Sequence, residues 1–240
     1  MGDFCYALDM RKTIFANGEF YHIYNRGVDK REVFLDEADY LRFLKNLREF
    51  NINLIREMRA KLSELNSESE LSSGEQLVVI IAYCLNPNHF HLILKQISEK
   101  GIEKFMHKIS TGYTNYFNKK YKRSGALFQG RFKAINVDSN DDLLYLSAYV
   151  NRNYFIHGYQ GEISQGDWKY CSAIDYLGKR KGTLCDKKII LDQFSVELKS
   201  ELNSVPELSS DFNEYMVFLN VNAVYLKEKK ELEKYLLEEF

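Results

Sequence analysis

No stretch of this 240-residue chain approaches the ~18 consecutive apolar residues needed to cross a bilayer. Its opening, MGDFCYALDMRKTIF, lacks the basic, apolar, small-residue order of a secretory leader. Both absences predict a cytoplasmic protein. Cysteine is sparse and unpaired: Cys5, Cys84, Cys171 and Cys185 stand far apart with no CxxC spacing, which argues against a cysteine zinc site and predicts reduced thiols rather than a disulfide framework. No internal repeat is visible, and neither sign of charge is in excess overall, with 33 Lys and Arg against 34 Asp and Glu for a net charge of -1. That balance hides a strong asymmetry. From Lys104 to Lys133 there is no Asp or Glu, while the last fifty residues carry an excess of acid and end EKKELEKYLLEEF. What a nucleic-acid partner would meet is the local patch, not the sum.

With 45% apolar residues the chain can bury a sizeable core. FYHIYNR, Phe20 to Arg26, alternates as a strand and closes at Gly27. Asp36 is a plausible N-cap for a helix with Leu41, Leu44, Leu47, Ile52 and Ile55 at helical spacing, through roughly residue 60. The Ser- and Glu-rich LSELNSESELSSGEQ reads as a solvated loop, so that residues 51-76 are partly a loop insertion. LVVIIAYCL predicts a central strand; Asn86, Pro87 and Asn88 supply a turn; HFHLILK returns antiparallel. A second helix carries Ile102, Phe105, Ile109, Tyr113, Tyr116 and Phe117 on one stripe, and ALFQGRFKAINV is a strand interrupted by Gly130. Asp138, Ser139 and Asn140 are cap candidates for a helix from Leu143 to about Asn153. The order predicts an α+β fold, a ferredoxin-like β-α-β-β-α-β antiparallel sheet with helices on one face and the other face available to a ligand. Residues 1-178 form the expected main domain and 179-240 a helical C-terminal extension with helical patches at Tyr215 to Leu219 and Val224 to Leu237.

The chemistry-bearing stretch is LNPNHFHLIL, Leu85 to Leu94. On a strand, residues i and i+2 share a face, so His89 and His91 present two imidazoles together while Phe90 and Leu92 face the core. Two neutral imidazoles can ligate one divalent cation, weakly until a third ligand joins. The bland alternative is a pair of histidines hydrogen-bonding across a sheet.

The wording NPNHFHLIL resembles the His-hydrophobic-His signature of the HUH single-strand nucleases and transposases, and it is similar to the small tyrosine transposases of insertion sequences and their REP-associated relatives. HIYNRGVDKREVF, GALFQGRFKA, YVNRNYFIHG and WKYCSAIDYLG follow in family-like order, so the resemblance spans roughly residues 14 to 178. It implies a DNA strand transferase whose tyrosine attacks phosphorus, leaving a 5′-phosphotyrosine and a free 3′-hydroxyl. YVNRNYFIHG matches the family's Tyr-x-x-x-Asn pattern, which places the nucleophile at Tyr149 and its partner at Asn153. Spacing of i, i+4 puts both on one helix face. The implied ligand set is His89, His91 and Asn153, suited to Mg²⁺ or Mn²⁺. Periodicity alone does not separate Tyr149 from Tyr145; the family pattern does. Tyr154 stands where relatives usually carry proline, a change that frees the helix to run on.

The acid-free block is expected beside the site, with Arg131 in QGRFK the strongest DNA contact and Lys133, Lys119, Lys120, Lys122 and Arg123 in support. Tyr113, Tyr116, Tyr121 and Phe128 are candidates for base stacking. Asn25 and Arg26 are weaker candidates for DNA binding or site support. His22 and His107 read as structural or surface histidines, and His157 falls near the end of the tyrosine helix. The implied partner is single-stranded or hairpin DNA. Relatives include swapped dimers, whose tyrosine helix serves the neighbour's histidines, and single-subunit forms, so a homodimer and a monomer both stay open. The competing class is a nucleic-acid-binding module that keeps the fold without catalysis.

Overall fold

The computed structural model describes residues 13–51, 76–159, 168–201 and 211–238. The expected helical positions Ile52 and Ile55, most of the 51-76 insertion and Cys5 lie outside them. Four strands, β1 (Phe20–Arg26), β2 (Val78–Asn86), β3 (His89–Gln96) and β4 (Lys133–Val137), make one antiparallel sheet in the order β2-β3-β1-β4. Helix α1 (Glu37–Glu49) links β1 to β2, and α2 (Gly101–Lys120) links β3 to β4. This is the expected α+β arrangement.

The alternation of the strands sorts side chains into two cores. On one face Tyr21, Ile23, Phe90, Leu92 and Leu94 meet Phe43 and Leu47 of α1 and Ile102, Phe105, Ile109, Tyr113 and Phe117 of α2. The buried stripe of α1 runs through Tyr40, Phe43 and Leu47, whereas Leu41 is 54% exposed, so the apolar phase is one residue off the expected one. Asp36 caps α1 as predicted, accepting from the Asp39 amide at 3.1 Å.

The opposite face is not left open. Helix α3 (Asn140–Asn151) lies across it, capped by Ser139, whose Oγ accepts from the Asp142 amide at 3.0 Å. Leu143, Ala148 and Val150 bury against Ile81, Cys84, Ile93 and Val137. A single-turn helix α4 (Asn153–Ile156) follows, then α5 (Ala173–Tyr176), α6 (Lys188–Glu201) and α7 (Asp211–Glu238). Phe194 of α6 and Tyr215 and Leu219 of α7 complete this second core. It forms because Ile81, Cys84 and Ile93 are apolar on the face that carries the histidines, and that surface must be covered.

Three expectations shift with the tertiary structure. Strand β2 is an edge, not a centre. It reads as buried because the segment after residue 168 runs beside it: Leu85 donates to the Tyr170 carbonyl (3.0 Å), Ser172 to that of Tyr83 (2.9 Å) and Asp186 to that of Ile80 (2.9 Å), so the edge has no free ladder there. Strand β4 begins only at Lys133, because Gly130 adopts φ 67° and turns the chain out of the sheet; upstream only Phe128 bridges, to Gly27. Helix α3 does not run on through Tyr154 without a break. Arg152, at φ -111° and ψ 10°, interrupts it before the turn of α4.

Cys84, Cys171 and Cys185 are free thiols, and the first two are buried. No helix among the described residues is long and apolar enough to cross a membrane.

Candidate active site

The register of β3 against β1 pairs His91 with Tyr24, Arg26 with His89 and Ile93 with His22, so His22, Tyr24, Arg26, His89 and His91 share the α3 side of the sheet. His91 is buried, and its Nδ1 lies 2.8 Å from His22 Nε2. Burial lowers the His22 pKa to about 4 and holds His91 well below the usual histidine range, with the neighbouring imidazoles adding to the shift on His91. Both rings are therefore neutral near pH 7, the form that can ligate a metal. The His22 contact occupies Nδ1 of His91 and leaves Nε2 as the ring nitrogen open to a ligand. His22 was expected to be an ordinary structural or surface histidine; it is instead a buried partner of the HFH motif. The signal was legible in FYHIYNR only with the strand pairing known.

His89 is oriented by its other neighbour. Asn88 donates from Nδ2 to the Lys30 carbonyl (3.2 Å), so its Oδ1 faces His89 and accepts from Nδ1 at 2.5 Å. That leaves a lone pair on His89 Nε2, which stands 3.1 Å from Asn153 Oδ1. Asn86 Nδ2 donates to both acceptors, at 2.8 Å to His89 Nε2 and 2.6 Å to Asn153 Oδ1. Asn86 and Asn153 are fully buried, and Asn153 Nδ2 has no hydrogen-bond partner among the described residues, a cost borne while Oδ1 is turned to His89. Asn86, read from the sequence only as turn chemistry, is the cross-strand partner of His89 and belongs to the site.

Tyr149 completes the constellation. Its half-buried ring stands edge-on to His91 with centroids 5.5 Å apart and to His22 at 5.9 Å. Tyr145, one turn earlier, is 38% exposed. His157 lies 4.7 Å from His89 ring to ring, at the end of α4. The i, i+4 logic for Tyr149 and Asn153 survives the break at Arg152, since both residues reach the histidine pair.

Two of the three expected donors, His89 Nε2 and Asn153 Oδ1, stand at a spacing that matches a divalent cation's ligands. Two ligands bonded at ~2.1 Å and at right angles are about 3 Å apart, the separation of His89 Nε2 and Asn153 Oδ1. Both lone pairs accept from the Asn86 amide nitrogen, so a cation held between them would take the place of that amide and turn Asn86 aside. Among the described residues no three His, Cys, Asp or Glu side chains gather to hold a metal, so any such site needs the asparagine oxygen.

The cationic residues divide. Arg26, Arg131 and Lys133 are exposed at the end of the sheet that holds the histidines, and Lys133 Nζ stands 6.0 Å over the Tyr24 ring, which itself stacks on His91 at 5.6 Å. Arg26 Nε donates to Gln129. Asn25 points to the other face, buried, with Nδ2 on the Gly130 carbonyl at 3.2 Å. Lys119 and Lys122 are exposed, but α2 packs on the face of the sheet opposite the histidines, so this part of the acid-free block is not beside the site as expected. Lys120 is committed to Asp36 (2.6 Å) and buried Asp39 (2.7 Å), and Arg123 binds Asn118 (3.0 Å) and the Ala126 carbonyl (3.3 Å). The stacking candidates are also otherwise engaged. Tyr113 and Phe128 are buried core, and Tyr116 and Tyr121 hydrogen-bond Asp39. His107 is exposed on α2.

Residues 21–153 match the family model described as transposase IS200 like. The chain belongs to the IS200-like transposase family. The match ends at Asn153, so it takes in the histidine pair, Tyr149 and the asparagine of this transposase. No curated protein matches the chain. Among solved structures, a REP-associated tyrosine transposase bound to a REP hairpin is similar at 14% identity and a TM-score of 0.46, over 73% of this chain and 93% of that one.

Proposed function

We propose that this transposase is a metal-dependent strand transferase that cleaves and rejoins single-stranded DNA through a covalent 5′-phosphotyrosine on Tyr149. The reading rests on one observation: the Tyr149 ring, His91, His89 and the Asn153 oxygen converge on one side of the sheet. Residues 1-178 serve as the catalytic domain and 179-240 as a helical extension to it.

The Tyr149 oxygen forms a bond to phosphorus while the bond from phosphorus to the 3′ oxygen breaks. The phenol gives up its proton, and the departing 3′ oxygen leaves as a hydroxyl. A 3′-hydroxyl run back against the phosphotyrosine reverses both changes and rejoins the strand, with no external energy source. A phenol has a pKa near 10 and is a weak nucleophile at neutral pH, so phosphate charge must be neutralised at the moment of attack. His89, His91 and Asn153 would hold Mg²⁺ or Mn²⁺, which would supply Lewis acidity to the scissile phosphate. Asn88 aims His89, and His22 aims His91. Arg131, Lys133 and Arg26 draw the DNA backbone to this end of the sheet, and a hairpin is the form of substrate proposed. The setting is the cytoplasm, where thiols such as buried Cys84 and Cys171 persist.

The test is incubation of the full chain with end-labelled single-stranded DNA able to fold into a hairpin, in Mn²⁺. A covalent protein-DNA adduct is expected from the unsubstituted chain and not from Tyr149→Phe, with loss also in His89→Ala and His91→Ala while DNA binding persists. An adduct undiminished in Tyr149→Phe refutes the assignment.

A further inference from the structure

The reading of Tyr149 as nucleophile leaves open what holds its helix in place. Apolar contacts of Leu143, Ala148 and Val150 press α3 onto the sheet and face its apolar side inward, and hydrogen bonds of fixed geometry set its rotation more sharply than that non-directional force does. Rotation matters here. A phenol tip ~8 Å from the axis moves about 3 Å for a 20° turn of the helix, and a misplacement of about 1 Å can cost on the order of 100-fold in rate.

Directional contacts come from behind α3. Tyr215 of α7 is fully buried; its hydroxyl accepts from Asn151 Nδ2 at 2.7 Å and donates to Ser147 Oγ at 3.1 Å. Ser147 Oγ in turn donates to the Leu144 carbonyl at 2.7 Å. Asn151 Oδ1 accepts from Ser172 Oγ at 2.5 Å, and Ser172 Oγ accepts the Tyr83 amide of β2 at 2.9 Å. The chain of bonds thus runs unbroken from the sheet, through α3, to the C-terminal helix. Ser147 and Asn151 are four residues apart and share one face of α3. Tyr149, two residues from each, is about 200° around the helix and faces away from them. A second tether follows directly: Arg152 donates to Asn220 of α7 at 2.8 Å and to the Tyr154 hydroxyl at 2.7 Å.

We infer that Tyr215 is a positioning residue for Tyr149. Bonded to Ser147 and Asn151, it fixes the rotation of α3 so that the nucleophile and the histidines of one chain make a complete site. The C-terminal helix is then part of the catalytic unit, and the site needs no residue from a second chain. The inference rests on the proposed role of Tyr149 and adds to it.

Tyr215→Phe removes only the hydroxyl and keeps the ring against Tyr176 (5.0 Å) and Phe194 (5.3 Å); Ser147→Ala removes the other end of the bond. Both are made in the full chain and assayed well below their unfolding temperatures, with Mn²⁺ and saturating labelled hairpin DNA. The first-order rate of adduct formation is expected to fall about 10-fold or more, with the DNA dissociation constant unchanged. Amide hydrogen exchange across α3 is expected to quicken about 5- to 100-fold, as the loss of two hydrogen bonds in each variant implies, while β1 and β3 keep their protection. Wild-type adduct rates in both variants overturn the inference. So does recovery of adduct when Tyr149→Phe and His91→Ala proteins are mixed, because that would set a tyrosine against another chain's histidines. An absence of adduct from the unsubstituted protein strikes the reading of Tyr149 instead, and the exchange measurement then decides by itself whether Tyr215 pins the helix.

Discussion

Replacing His22 with phenylalanine tests how far the histidine pair depends on the strand beside it. The ring sits 5.0 Å from both His91 and Tyr24, and a phenyl group fills that space while losing the 2.8 Å bond to His91 Nδ1. A buried ring N–H left without an acceptor costs about 1–3 kcal/mol. The same loss, felt as freedom of His91 to turn away from a cation, corresponds to about 10- to 100-fold in metal affinity, the usual effect of removing an outer partner of a metal-ligating histidine. The two figures agree, since 10- to 100-fold is about 1.4–2.7 kcal/mol. Mn²⁺ titration of the metal-free protein, followed by electron paramagnetic resonance or calorimetry, measures the affinity directly, with urea unfolding and DNA binding run in parallel. Binding of Mn²⁺ should weaken by one to two orders of magnitude in His22→Phe and recover in part in His22→Gln, whose amide oxygen can accept. Unchanged Mn²⁺ affinity and adduct rate in a folded His22→Phe protein refute the argument that this bond aims His91.

Two further outcomes follow from the division of the charged residues. Arg131→Ala combined with Lys133→Ala should weaken binding of single-stranded DNA and lower the slope of log affinity against log salt by about 1.4, two contacts at ~0.7 each; Lys119→Ala and Lys122→Ala, across the sheet, should leave the slope unchanged in the same titration. Asp39→Ala should destabilise the fold by about 2–4 kcal/mol in urea unfolding, because Asp39 is fully buried and accepts from Lys120, Tyr116, Tyr121 and the Leu35 amide, although Lys120 keeps its bond to Asp36. Its DNA adduct rate, measured below the unfolding transition, should be close to that of the unsubstituted chain.

What the amino-acid order determined by itself was local and periodic. Alternation in FYHIYNR and HFHLILK, the caps Asp36 and Ser139, and the turn at Asn86 to Asn88 depend on neighbours a few residues away, so β1, β3, α1 and α3 could be read from the sequence. The shared face of His89 and His91 was legible for the same reason, and the spacing of Tyr149 and Asn153 carried through a helix break. What only the tertiary structure decided depends on contacts between distant segments. Pairing of β1 with β3 brought His22 to His91, and that pairing leaves no mark in a window of a dozen residues; the hairpin of β2 and β3 was legible, but that its Asn86 would bond both His89 and Asn153 depended on where the distant Asn153 packs. The cover over β2 disguised an edge as a centre. Packing of α2 against Phe90 and Leu92 carried half of the basic block to the far side of the sheet, and burial turned Tyr113 and Phe128 from stacking surfaces into core. Sequence periodicity tells which side of an element is apolar; which partner covers it, and so which polar groups meet, is settled only when the elements pack.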